Sequence, residues 1–198
     1  TILINSGVQW NQIFLILGIV CILITLLYIV VLRSFVKEEI SKSSIGSGSY
    51  LKLLTSPKML VLCLIMFMYS GHQSGVSSWL PMYMEKFLNS DAIISGLAVS
   101  AFWIGIILGR FACSLISGKV DAKYIILFGS LLGGSILTLG IIINIPIFLI
   151  IASGSAGLLA GATIPLLVTL ACNWYPNNSG TVSSMIFLYG TLAWMIFP

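Results

Sequence analysis

Long apolar runs separated by polar connections dominate this chain. A membrane-spanning helix needs about 20 mostly apolar residues. Six segments meet or nearly meet that length: 13–32, 59–84, 92–116, 124–143, 146–172 and 180–198. Continuous runs favour helices over the short alternating strands of a membrane barrel, and a helix satisfies its own backbone hydrogen bonds in lipid. We therefore predict an all-α polytopic membrane bundle, with five complete transmembrane helices and a sixth that is truncated.

The composition excludes a solvated surface. Hydrophobic residues make up 59% of the chain and charged residues 7%, whereas soluble domains carry about 25% charged residues. The net charge of +4 is small and scattered, which excludes a nucleic-acid footprint. Because the chain begins at Thr1 without a signal peptide and stops inside an apolar run, we interpret it as an internal part of a longer protein.

The cationic residues in the connections between spans are divided unevenly between the two sides of the membrane. One side holds seven of them, in the connections after the first and third spans: Arg33, Lys37, Lys42, Lys52, Lys58, Lys119 and Lys123. The opposite side holds Lys86. The positive-inside rule makes 33–58 and 117–123 cytoplasmic. We expect a multi-pass protein of a plasma or inner membrane.

The 33–58 connection differs from the others. It is the longest, and its charged start gives way to the Ser/Gly-rich stretch "SKSSIGSGSY". This composition is typical of a flexible linker. It either joins two helical bundles or is simply a long cytoplasmic loop; we favour the linker because every other connection is short.

A polar face interrupts the second span, in "FMYSGHQSGVSSWLPMY". Residues three and four apart share a helix face, which groups Tyr69, His72 and Gln73, with Ser77 one turn further. Unsatisfied polar groups are costly in lipid, so this face is expected to point into the protein. It lines a binding site, or it only hydrogen-bonds to neighbouring helices. Gly71, Gly75 and Pro81 predict a helix weakened or interrupted at this depth, as in transporter binding sites.

His72 is the only histidine, and it allows two further interpretations. A histidine can relay protons near neutral pH, although the spans offer it no Asp or Glu as a partner. Metal ligation lacks a second histidine or carboxylate at ligand spacing. The four cysteines form no CxxC pair and are expected as buried thiols. We expect no metal and no cofactor.

Two other features bear on helix packing and gating. Glycines four apart, at 105 and 109, 129 and 133, and 157 and 161, predict close helix packing. Arg110 is a charge well inside the third span. It marks a structural ion pair, with Asp121 as a possible partner, or a gate at the cytoplasmic end, and we favour these over a contact with the substrate. Pro165 predicts a kink in the fifth span.

A helix, a long basic linker, and helices joined by alternately short loops resemble the major facilitator superfamily. The segment "LGRFACSLISGKVDAKYIILFG" resembles the family's loop between its eighth and ninth helices. Lys119 and Lys123 fit the basic positions of that loop, whereas Gly118 replaces its acidic residue and Asp121 its glycine. The stretch "SSWLPMYMEKF" and the following "SGLAVSAFWIGIILGR" are similar to the fucose-permease-like sugar branch, on Trp79, Tyr83, Gly109 and Arg110.

The resemblance implies a division of the chain. Residues 1–32 would be the last helix of an N-terminal bundle, 33–58 the cytoplasmic linker, and 59–198 the truncated C-terminal bundle. The second span would line a central cavity. Gating would involve Arg110, Lys119, Asp121 and Lys123 at the cytoplasmic loop.

The expected function is secondary transport of a small solute, a sugar or an organic anion, by alternating access. Proton or sodium coupling is compatible with it. The sequence lacks a catalytic constellation, so an enzyme is not expected. The alternatives are a scaffold or pseudo-transporter that moves nothing, and a channel subunit, for which a charge ring or filter loop would be expected.

Overall fold

The computed structural model of the protein describes residues 55–116 and 118–197, together with Ile19, Ile22 and Leu53. Contacts divide the chain into two compact units, residues 1–44 and 45–198. In the first unit only Ile19 and Ile22 are described, and both are helical and exposed. The rest of the predicted span 13–32 and most of the 33–58 linker lie outside the described residues.

The second unit is a bundle of helices. In chain order they are α1 (Pro57–Phe87), α2 (Ala92–Ile116), α3 (Ala122–Ile143), α4 (Pro146–Ala160), α5 (Thr163–Trp174) and α6 (Ser179–Ile196), with a short 3₁₀ turn at Pro176–Asn178. These elements provide five stretches long and apolar enough to cross a membrane, α4 and α5 together forming one of them. The prediction of an all-α membrane bundle is confirmed for the described residues.

The fourth of these stretches is broken near its middle. α4 ends at Ala160, α5 begins at Thr163, and a turn at Gly161 and Ala162 separates them. Pro165, the third residue of α5, has no N–H to donate to the carbonyl of Gly161, and its ring would clash with that carbonyl in a continuous helix. The kink predicted from Pro165 is therefore present as a break one turn before it.

α1, in contrast, is a single helix of 31 residues that continues through Gly71, Gly75 and Pro81. The expectation of an interrupted helix at this position was wrong. One proline removes one hydrogen bond, and the flanking turns of a long packed helix hold the backbone in place. The interruption at mid-span lies between α4 and α5 instead.

Glycines bring the backbones of α2 and α4 into contact. A Cβ added at Gly105 or Gly109 would clash with the backbone of Gly154 or Leu158, and one added at Gly157 would clash with the carbonyl of Phe102. The same relation joins α3 to α4, where a Cβ at Gly129 would clash with the carbonyl of Leu159. The close packing predicted from the glycine spacing is confirmed.

Because of the break between α4 and α5, some of these carbonyls lack a hydrogen-bond partner within their own helix. The last four carbonyls of a helix lack intrahelical partners, and Leu158 and Leu159 lie in the last turn of α4. Their oxygens lie against the bare backbones of Gly109 on α2 and Gly129 on α3. Contacts of this kind, from a glycine Cα–H to a carbonyl, recur where membrane helices approach closely.

A side-chain hydrogen bond also joins α4 to α2. The hydroxyl of buried Ser153 lies 2.8 Å from the carbonyl oxygen of Ala98 on α2 and 2.9 Å from that of Ile150 in its own helix, and its one proton is shared between them. We expect Ser153→Ala to cost about 1 kcal/mol of unfolding free energy, because it leaves no donor for that link. The matched control is Ser155→Ala, whose hydroxyl donates to Ile151 within its own helix. Thermal unfolding in detergent should separate the two variants, and equal losses would contradict the assignment.

Hydrogen bonds at the two ends show which connections share a side. At one end, the hydroxyls of Ser56 and Tyr175 lie 2.8 Å apart. At the other, Tyr83 donates to the side-chain oxygen of Asn144 at 2.6 Å. The start of α1 and the turn after α5 therefore lie on one side, and the 85–91 loop and the turn between α3 and α4 on the other.

Candidate functional site

The polar face of α1 lies at the middle of the helix, where the sequence placed it. Tyr69 and Gln73 are buried, with 7% and 3% of their surfaces exposed. The Gln73 amide donates to the Tyr69 hydroxyl at 3.1 Å. This bond joins the two side chains inside the bundle and leaves the Tyr69 O–H proton and the Gln73 carbonyl oxygen outside it.

His72 and Ser77 continue this face with unpaired polar atoms. Within the described part of the chain, neither His72 Nε2 nor Ser77 Oγ has a hydrogen-bond partner, and both atoms are buried. The His72 ring makes an edge-to-face contact with Phe102 of α2, with centroids 5.8 Å apart. An unpaired buried polar group costs about 1–3 kcal/mol.

The serines beside this face contact α6 instead. Ser70 and Ser74 are buried, and the Ser74 hydroxyl donates to the carbonyl of Phe197. A Cβ added at Gly71 would lie 2.8 Å from the Phe197 ring. One side of α1 therefore packs on α6 through small residues. Its other side, which carries His72, faces α2.

Arg110 lies on α2 towards α1, and its side chain is exposed. Its charge is close enough to the Tyr69 hydroxyl to act on it electrostatically. Asp121 does not pair with it: the carboxylate forms an exposed ion pair with Lys123 at 3.4 Å. The suggested Arg110–Asp121 pair was therefore wrong, because Asp121 lies beside Lys123 in the turn that starts α3.

The predicted gating residues consequently fall into two groups. Lys119 and Asp121 are exposed in the α2–α3 turn, where Gly118 takes a positive φ of 98°, and Lys123 is exposed at the start of α3. The Lys123 ammonium lies 4.9 Å from the centre of the Tyr124 ring. Arg110 is separated from this turn by the last turns of α2.

One residue beside this site was missed by the sequence analysis. Trp103 lies next to the middle of α2, is 37% exposed, and contacts the Phe102 ring at a centroid distance of 6.1 Å. Its spacing of seven residues from Arg110 was the available signal, since residues seven apart share a helix face. In the described ranges no group of three or more His, Cys, Asp or Glu residues is placed to hold a metal ion.

Comparison with known proteins adds a family and several relatives. The model of the Major Facilitator Superfamily matches residues 1–198. The chain is 26% identical over 195 residues to the "Protein TsgA homolog" of Buchnera aphidicola subsp. Baizongia pistaciae, covering 98% of this chain and 48% of that protein. The chain spans about half the length of the TsgA relatives it matches. No solved structure matches it significantly.

Two further relatives have names that state a substrate. The chain is 32% identical over 106 residues to the "Glucose/mannose transporter GlcP" of Bacillus subtilis, covering 53% of this chain and 26% of that protein. It is 29% identical over 128 residues to a "Putative glucose/galactose transporter" of Helicobacter pylori strain 26695, covering 64% of this chain and 31% of that protein.

Proposed function

This chain belongs to the Major Facilitator Superfamily, and on that basis we propose that it forms part of a secondary transporter that moves a small solute by alternating access. Residues 1–32 then supply the last helix of an N-terminal bundle, 33–58 the cytoplasmic linker, and 59–198 the C-terminal bundle. A solute bound more tightly in one state than in the other shifts the population between them.

The observation that carries this proposal is the polar face of α1 at mid-span. The Gln73–Tyr69 hydrogen bond and the unpaired atoms of His72 and Ser77 place donors and acceptors where lipid could satisfy none of them. We assign Tyr69, His72, Gln73 and Ser77 to the solute-binding region. Such a set suits an uncharged solute rich in hydroxyl groups, which both donate and accept.

We further propose a sugar as the solute. Two relatives are named as transporters of glucose with mannose or galactose, and the assigned side chains are neutral hydrogen-bonding groups with no acidic residue among them. Proton or sodium ions are the proposed coupling ions. We do not assign an enzymatic activity.

The cytoplasmic loop is proposed as the gating element. Arg110 lies within the membrane-spanning part of α2, and Lys119, Asp121 and Lys123 are exposed at the turn that leads into α3. Closure on the cytoplasmic side would bring these charges against the other half of the transporter. Salt screens exposed charges, so the contribution of the charges at the turn is expected to weaken as the ionic strength rises.

Uptake by the complete protein in proteoliposomes tests the proposed function. Glucose, mannose and galactose are offered beside organic anions, with and without an imposed pH gradient. We expect uptake of at least one of the sugars, and stimulation by the gradient if protons are coupled. A folded protein that moves none of these solutes would contradict the proposal and favour a scaffold or pseudo-transporter.

A further inference from the structure

Two lysine–aromatic pairs lie at the same end of the bundle. The Lys58 ammonium is 5.9 Å from the centre of the Trp174 ring, and the Lys123 ammonium is 4.9 Å from the centre of the Tyr124 ring. A cation close to an aromatic face is attracted to it. The first pair joins the start of α1 to the end of α5, and α5 also packs against α3, which carries the second pair. We refer to these four residues as the lysine–aromatic arc.

The arc lies where the membrane-spanning stretches begin and end. Lys58, Lys123 and Tyr124 are within the first three residues of α1 and α3, and Trp174 is the last residue of α5. The Trp174 and Tyr124 side chains are 46% and 48% exposed. Tryptophan and tyrosine are enriched at this depth, the level of the lipid headgroups. Because each ammonium lies beside such a ring, both cations are held at headgroup depth.

Buried residues fix the three helix ends relative to one another. Met59 of α1, Ile126 of α3 and Ala171 of α5 belong to one hydrophobic cluster. The hydroxyls of Ser56 and Tyr175, which lie 2.8 Å apart, add a polar contact between the start of α1 and the turn after α5. The arc is therefore presented by a packed part of the bundle.

The two lysines occupy positions that their own helices disfavour. The positive end of the helix dipole lies at the first turn, where it repels a cation. Neither α1 nor α3 has an acidic residue in its first turn. Lys123 has the carboxylate of Asp121 at 3.4 Å, whereas Lys58 forms no ion pair among the described residues. The arc thus lacks anionic charge that both helices would favour.

The surroundings of the arc fit an anionic lipid. At this end the described helix starts and turns hold three lysines and one carboxylate, and at the opposite end one lysine and two carboxylates. The positive-inside rule assigns the arc to the cytoplasmic side, whose leaflet carries anionic lipids. Within a turn of the lysines, apolar side chains are exposed: Leu60 and Val61 on α1, Leu127 and Phe128 on α3. A phospholipid supplies a phosphate for the lysines and acyl chains for these residues, whereas a soluble anion supplies only the phosphate.

We propose that the lysine–aromatic arc binds anionic phospholipids of the cytoplasmic leaflet. Lys58 and Lys123 contact the phosphate groups, and Trp174 and Tyr124 hold the two ammonium groups at headgroup depth. The acyl chains lie against the exposed apolar residues that follow in α1 and α3. This interaction does not depend on which solute the protein moves, so it can be measured without transport.

Native mass spectrometry of the complete protein in detergent tests this assignment. Phosphatidylglycerol and phosphatidylcholine with the same acyl chains are added separately, and the affinity of the first bound lipid is measured. We expect phosphatidylglycerol to bind more tightly. Lys58→Gln and Lys123→Gln should each weaken its binding about fivefold, the contribution of one basic residue near an anionic membrane surface, and leave phosphatidylcholine binding unchanged. Lys86→Gln, at the opposite end, is the matched control and should keep both affinities.

Equal affinities of the original protein for the two lipids would overturn the proposal, as would a phosphatidylglycerol affinity that both lysine variants retain. Thermal unfolding distinguishes a lipid from a soluble anion. Phosphatidylglycerol should raise the melting temperature of the original protein, and inorganic phosphate at equal ionic strength should not. An equal rise with inorganic phosphate would overturn the lipid assignment. Because both lysines are exposed, glutamine at either position should leave the melting temperature in phosphatidylcholine unchanged.

Discussion

Gly109→Leu is expected to prevent the bundle from assembling. A Cβ alone at this position would clash with the carbonyl of Leu158, which belongs to the backbone of α4 and cannot rotate away. α2 would have to move off α4 and lose the contacts of Gly105 and Gly157 along the same seam. Overpacking in a well-packed core usually costs about 1–3 kcal/mol, and a branched side chain against a backbone should reach or exceed the upper value.

The measurement for Gly109→Leu is the yield of monodisperse protein in detergent and its melting temperature. Gly134→Leu is the matched control, because an added Cβ there meets nothing within 4 Å. The control should be neutral or slightly stabilised, as leucine is a better helix former than glycine by nearly 1 kcal/mol. If Gly109→Leu is as stable as Gly134→Leu, the backbone contact between α2 and α4 is not formed as described.

Gln73→Leu is expected to reduce transport at least about tenfold while the fold is retained. Leucine occupies a similar volume in the buried site, so packing is largely preserved. The substitution removes the amide that donates to Tyr69. The same amide group supplies the hydrogen-bond donor and acceptor that we propose bind the solute. In a site that binds its solute through hydrogen bonds, losing one hydrogen-bonding group reduces transport far more than losing a methylene group.

Ser74→Ala is the matched control for Gln73→Leu. Ser74 is the next residue and equally buried, but its hydroxyl donates to the carbonyl of Phe197 on the α6 side. This variant should lose some stability and keep the KM of the original protein. Initial uptake rates over a range of solute concentrations separate the two effects. Unchanged uptake and KM in both Gln73→Leu and His72→Ala would exclude this face as the binding site.

The helices were predictable because the signals for them are local. Length and hydropathy located the five stretches of the described unit, and glycines four apart indicated the close contacts of α2, α3 and α4. Whether a helix continues through a proline was harder to predict. Pro81 lies within the intact helix α1, whereas Pro165 lies just after the break between α4 and α5. The difference depends on the neighbours. The carbonyl oxygens left without helical partners at the break lie against the backbones of Gly109 and Gly129. These glycines are distant from the break in sequence.

The site was predictable only in part, for a related reason. Spacing along one helix grouped Tyr69 with Gln73, and the structure joins them by a hydrogen bond. Polarity predicted that this face points into the protein. Spacing does not show which helix covers it, so the contact of His72 with Phe102 and the exposure of Trp103 were not available from the sequence. Asp121 was a plausible partner for Arg110 by sequence distance, yet it lies closer to Lys123.

Sugar counterflow in proteoliposomes measures most directly whether this chain serves a transporter that works by alternating access. Vesicles that contain the complete protein are loaded with unlabelled glucose, mannose or galactose and diluted into a trace of the labelled sugar. An alternating-access carrier exchanges one for the other, so we expect transient accumulation of label above equilibrium, which Gln73→Leu should largely abolish. Label that only equilibrates would indicate a channel, and label that never enters vesicles of folded protein would contradict transport of these sugars.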